Sequence, residues 1–283
     1  MLFGLLGPLV VTDDRGRPLE LGAPKQCAAL AVLLLHANET VSSDRLIEEL
    51  WGEEAPPTAA KSLQVHVSRL RHALGQGEGE LAERLVTRAG GYLLRVSPDE
   101  FDVDRFARLA AEAQELVAGE RWQAASECLD QALALWRGEP LSDFAYEAFA
   151  QSEIARLSEL RVAALEQRIA AALALGREAD VVGELERLVR AHPYRERLQS
   201  QLMLALYRTG RQADALSVFR EARSRLIDEL GIEPSAELRD LHDAILAQDS
   251  SLARAGASAD DGSAAQTLRS GYRPRLVEAV TLL

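Results

Sequence analysis

Residues 61–74, KSLQVHVSRLRHAL, decide how this chain is read. The stretch contains no acidic residue, in a chain whose formal net charge is −12. Leu63, Val67, Leu70 and Leu74 fall on one stripe at helical spacing. The opposite side carries Lys61, Val65, Ser68 and His72, with Gln64 and Arg69 beside them. A helix that packs with one face and offers Arg, Lys, Gln and Ser on the other suits a DNA major groove. Alone, the same pattern also describes a solvated amphipathic surface helix. The flanking sequence separates the two readings.

Upstream, residues 3–11 and 18–21 are strand-like around the turn Asp13-Asp14-Arg15-Gly16. Pro24 opens a helix over residues 25–37 with the apolar face Cys27, Leu30, Ala31, Leu34 and Leu35. Ser42 or Ser43 caps a second helix, residues 44–51, which stops at Gly52. Residues 53–57 form a loop, because proline steers the residue before it away from helix. Thr58 then caps the basic helix. Downstream, residues 75–79 break the chain. Residues 85–96, LVTRAGGYLLRV, read as a hairpin bent at Gly90-Gly91.

This order resembles the OmpR-type winged helix-turn-helix. Val65-His66-Val67-Ser68-Arg69-Leu70-Arg71 is similar to its recognition helix, and Thr87-Arg88 with Gly91-Tyr92 is similar to its wing. The resemblance implies double-stranded DNA as a partner. Arg69, near the middle of the exposed face, matches a guanine edge through O6 and N7. Gln64 matches adenine or a bridging water, Val65 a thymine methyl, and Ser68 faces bases beside them. Lys61, Ser62, His66 and Arg71, at the start or flanks of the helix, suit phosphates, as do Thr87 and Arg88 on the wing. His66 and His72 equally fit plain surface histidines, and Arg71 a pairing with a nearby acid. Trp51 and Tyr92 read as core aromatics. In the OmpR-type family the loop after the second helix tends to touch RNA polymerase, which makes Glu53 and Glu54 contact candidates.

From Phe101 to about Ala247 the periodicity is helical. Gly176-Arg177-Glu178-Ala179-Asp180 recurs as Gly210-Arg211-Gln212-Ala213-Asp214, a spacing of 34 residues (210 − 176). That is the tetratricopeptide period, in which helix pairs stack because no pair buries its own apolar faces. Arg121-Trp122-Gln123-Ala124-Ala125 reads as a more distant unit, followed by an insertion from Trp136. The strings Phe101-Asp102-Val103-Asp104-Arg105-Phe106, Leu135-Trp136-Arg137-Gly138 and LIDELGIEPSAEL (residues 226–238) resemble the bacterial transcriptional activation domain. A winged helix followed by this domain resembles the Streptomyces antibiotic regulatory protein family, over residues 1 to about 250. The expected fold is mainly α, with a winged helix (α+β) over residues 1–96 and tetratricopeptide-like helices over 97–250. Residues 251–283 form a linker and tail, in which 272–283 turn apolar again.

The bulk numbers agree with that division. Residues 1–96 hold ten Lys/Arg and twelve Asp/Glu, so nearly all the negative charge lies beyond them. An acidic chain binds nucleic acid through a local basic surface or not at all. No apolar run reaches a membrane span, and the apolar start runs straight into Asp13-Asp14, as a strand does rather than a leader. Cys27 and Cys128 lack metal-ligand spacing and read as reduced thiols of a cytoplasmic, nucleoid-associated protein. There is no GxxxxGK[ST] loop, HExxH or nucleophile elbow, so neither an enzyme nor a cofactor is expected. The expected function is a transcriptional activator of a biosynthetic gene cluster. A homodimer, or protomers lying side by side, would bind direct repeats, as the resemblance implies, and recruit RNA polymerase with its sigma factor. The alternatives are a repressor that uses the repeats only for dimerisation, and a protein-binding scaffold.

Overall fold

The computed structural model describes residues 1–75 and 84–252. The expected linker and the apolar segment 272–283 lie almost wholly outside the described residues, as does most of the expected break at 75–79.

Two short antiparallel strands open the chain, β1 (Leu2–Gly4) and β2 (Val10–Thr12). The single strand expected over residues 3–11 is therefore two. Gly7, at a φ of 150° open only to glycine, and Pro8 interrupt it. Residues 18–21 contribute one bridge, Pro18 to Thr12, since proline has no N–H to extend a ladder.

Helix α1 (Pro24–Leu35) starts with proline at its first position. Every residue from Ala28 to Leu34 is buried, so α1 is a core helix rather than one with a single apolar face. Asn38, at a φ of 66°, reverses the chain and exchanges two hydrogen bonds with the backbone of Val96 (2.9 and 3.0 Å). Strand β3 (Thr40–Ser42) follows, an element the sequence reading lacked. Ser42 caps α2 (Ser43–Trp51) by accepting the Arg45 amide at 3.1 Å. Helix α3 (Ala59–Gly75) is the basic helix. Strands β4 (Leu85–Arg88) and β5 (Gly91–Leu94) form the hairpin, and the sheet order is β3-β5-β4, antiparallel throughout. The bend is Ala89-Gly90, with Gly90 at a φ of 80°. Gly91 serves a different purpose: a Cβ there would sit 2.1 Å from the Val41 carbonyl oxygen, so only glycine lets β3 lie beside β5.

The helical half contains α4 (Asp102–Ala118), α5 (Trp122–Leu133), α6 (Ala148–Ala174), α7 (Glu178–Ala191), α8 (Glu196–Arg208), α9 (Gln212–Arg225) and α10 (Ala236–Leu246). Helices α4, α6, α8 and α10 end alike. Glu120, Gly176, Gly210 and Gln248 take left-handed conformations (φ 55°, 74°, 81° and 52°). The amides after them, on Arg121, Arg177, Arg211 and Asp249, return to the carbonyls of Leu116, Ala172, Leu206 and Ala244 at 2.8–3.0 Å. These are Schellman caps, and each turns the chain back into the next element. The described residues show four such ends where the sequence displayed two plainly.

One hydrophobic core runs from Phe3 through α1, α2, α3 and the hairpin into α4, α5 and the first half of α6. A second runs from Val162 to Leu252. The first core is continuous across residues 96–101, so the winged helix and the first helix pair are packed as one body.

Candidate nucleic-acid interface

Helix α3 buries Leu63, Val67, Leu70 and Leu74, the stripe read from the sequence, together with Ala59. Its outer face exposes Lys61, Gln64, Val65, Ser68, Arg69 and His72. All four residues expected to face bases, Gln64, Val65, Ser68 and Arg69, lie on that face. Val65 is 41% exposed, a β-branched apolar side chain held out to solvent among polar neighbours. Arg69 and Lys61 are exposed and make no ion pair or hydrogen bond among the described residues.

The residues expected to contact phosphate divide. Arg88 is exposed at the end of β4, beside the hairpin bend. Ser62 is half-buried, and its amide donates to the Thr58 carbonyl at 2.9 Å in the first turn of α3. Arg71 and Thr87 bond to each other instead. The Arg71 guanidinium donates to the Leu85 carbonyl (2.8 Å) and to the Thr87 hydroxyl (2.7 Å), docking β4 onto α3. This ties the hairpin to α3. His66 is half-buried and stacks on Trp51, with ring centroids 6.1 Å apart and planes inclined by 28°. Its Nδ1 is buried without a partner among the described residues. Burial first, and the neighbouring Arg69 second, push the His66 pKa below its ordinary value.

Trp51 ends α2, and Gly52–Glu54 form a single 3₁₀ turn after it. Glu53 and Glu54 are exposed on that turn. The Trp51–His66 stack therefore joins the foot of this loop to α3. The sequence reading missed both long-range ties, Arg71 to Thr87 and Trp51 to His66, because helical spacing carries no information about partners on other elements. Beside α2 lies an open cleft of about 770 Å³, lined by Lys25, Arg45, Glu48, Glu49 and Glu147 among others. Among the described residues, no His/Cys/Asp/Glu group is arranged to hold a metal ion, and no helix is long and apolar enough to cross a membrane.

Comparison with known proteins agrees with this geometry. The transcriptional regulatory protein C-terminal family matches residues 16–94, and the bacterial transcriptional activator domain matches residues 101–246. The chain is 40% identical over 280 residues to the regulatory protein AfsR of Streptomyces coelicolor and spans 27% of that protein's length. It is 39% identical over 261 residues to the regulatory protein DnrI of Streptomyces peucetius, of which it covers 96%. Among solved structures, Mycobacterium tuberculosis EmbR in complex with a low affinity phosphopeptide matches 87% of this chain and 65% of its own, with a TM-score of 0.83 and 39% identity. The buried stripe and polar outer face of α3, the wing docked against it and the capped repeats behind them make up the two matched domains in the matched order, and the chain belongs to the Streptomyces antibiotic regulatory protein family of transcriptional regulators.

Proposed function

We propose that this chain is a sequence-specific DNA-binding activator of a biosynthetic gene cluster, acting in the cytoplasm on the nucleoid. The observation that carries the reading is the outer face of α3, where Lys61, Gln64, Val65, Ser68 and Arg69 are exposed together. Arg69 reads a guanine, Gln64 an adenine, and Val65 a thymine methyl. Lys61 and Arg88 hold phosphates on either side, with Arg71 and Thr87 presenting the wing. Two protomers lie side by side on direct repeats, and the acidic remainder of the chain faces away from phosphate. The polymerase side is the loop with Glu53 and Glu54, exposed next to α2, which suits a basic segment of RNA polymerase or its sigma factor. DnrI and AfsR, both named regulatory proteins, support placing the chain among regulators.

Footprinting of the bound protein across a genome tests this. Sites made of direct repeats upstream of one gene cluster are the expected result. Occupancy without a shared sequence contradicts the reading.

A further inference from the structure

The hairpin β1–β2 opens the winged-helix half of the chain and lies outside both family matches, which begin at residues 16 and 101. Its bonds nevertheless go to the helical half. The Phe3 amide donates to the Glu100 carbonyl at 2.7 Å. The amides of Leu5 and Leu6 donate to the two carboxylate oxygens of Asp102 at 2.9 and 3.0 Å. The carbonyls of Leu6 and Leu5 accept the amides of Arg137 (2.7 Å) and Leu141 (2.9 Å), and the Leu9 amide donates to Asp143 at 2.8 Å. Residues 3–9 are thus held along their length by residues 100–143, while Phe3, Leu5, Leu6 and Val11 lie in the one core that α1–α3 and the hairpin share with α4, α5 and α6.

Asp102 is the centre of this strap. It is 6% exposed, and a buried carboxylate is tolerated only when fully partnered. Besides the two amides it receives Arg137 Nη1 at 2.9 Å. Arg137 in turn lies over two glycines. A Cβ on Gly4 would sit 2.3 Å from Arg137 Nη2, and one on Gly7 would sit 2.9 Å from Arg137 Cβ. Trp136, next in the chain, packs edge-on against Phe106 of α4 at 5.3 Å. Two of the strings that mark the family, around Asp102 and around Arg137, therefore meet on one backbone segment at the junction between the domains.

We infer that Asp102 and Arg137 are positioning residues for activation: by gripping residues 4–9 they fix the repeat domain relative to the recognition helix. Rigid placement matters for contacting polymerase and DNA at once, and little for DNA affinity alone, because α3 and the wing carry the DNA contacts. The inference rests on the DNA-binding reading proposed above.

The test compares Asp102→Asn and Arg137→Gln with the wild-type 283-residue chain. Arg137→Gln is the milder change, since it leaves Asp102 with both backbone amides. The probe is the duplex that the wild-type chain enriches from a random pool, placed upstream of a core promoter for run-off transcription by polymerase holoenzyme. Both variants are expected to bind the duplex within about twofold of wild type and to lose about fivefold or more of the activated transcript. The double variant is expected to lose no more than Asp102→Asn alone, as one linked pair requires. Without DNA, spin labels at Glu48→Cys and Arg187→Cys in a Cys27→Ser background report the junction directly, and their distance distribution should broaden in both variants. A distribution unchanged in both, or transcript loss matched by an equal loss of duplex affinity, overturns the inference. A pool from which wild type enriches nothing refutes the DNA-binding reading instead, and the spin-label measurement still judges the strap.

Discussion

Arg69 and Arg71 stand two positions apart on α3 and do different work. Arg69 points outward without a partner among the described residues, and Arg71 is spent on Leu85 and Thr87 of the wing. Arg69→Ala is expected to weaken binding to the specific duplex by about 1–3 kcal/mol and to relax one base position, with melting unchanged. Arg71→Met should instead lower stability by about 1.5–3 kcal/mol in urea titrations, the scale of hydrogen bonds to a charged group. Helical periodicity was enough to place Arg69, because facing outward is a property of one helix. It was not enough for Arg71, whose partners lie 14 and 16 residues further on. The same limit hid His66, which stacks on Trp51 and whose pKa burial lowers below its ordinary value.

The repeat caps show how an element can be repeated without its residue. Gly176 and Gly210 announce their turns, since glycine adopts positive φ without strain. Glu120 and Gln248 take the same conformation with a Cβ, so no sequence signature marks them. Opposite outcomes are therefore expected from two substitutions. Gly210→Ala should destabilise by about 1–2 kcal/mol, and Glu120→Gly should stabilise by about 1 kcal/mol, both read from thermal unfolding. Equal effects of both would mean that the cap geometry is not shared. Strand β3 was invisible for a different reason. Three residues, Thr40-Val41-Ser42, are too short to show alternation, and their pairing with β5 depends on the missing Cβ of Gly91.

Across the whole molecule, the order of domains was plain from the sequence, but the continuity between them was not. Phe3, Leu5 and Leu6 share a core with Phe101, Phe106 and Phe144, so a fragment ending at Val96 leaves apolar surface uncovered. Such a fragment is expected to melt well below the full chain. The junction also carries a charge signature. Arg84 donates to Glu100 (Nη2 to Oε1, 2.8 Å) and holds the Glu100 pKa at about 2, against an ordinary 4.5. A depressed carboxylate pKa contributes stability above 4.5 that is lost as pH falls toward 2. Melting temperature should therefore fall more steeply over that interval in wild type than in Glu100→Gln. Charge has a second consequence at this scale. Because the chain's net charge is −12, the proposed DNA contact would depend on the local cations of α3 and the wing, and affinity should drop sharply as salt rises.

The most direct test of the central claim is selection of duplexes from a random pool by wild type and by Arg69→Ala in parallel. The account predicts that wild type enriches a direct repeat, and that Arg69→Ala enriches the same repeat with one guanine position relaxed in each half. Enrichment of no sequence by wild type, or of an identical sequence with undiminished affinity by Arg69→Ala, would contradict it.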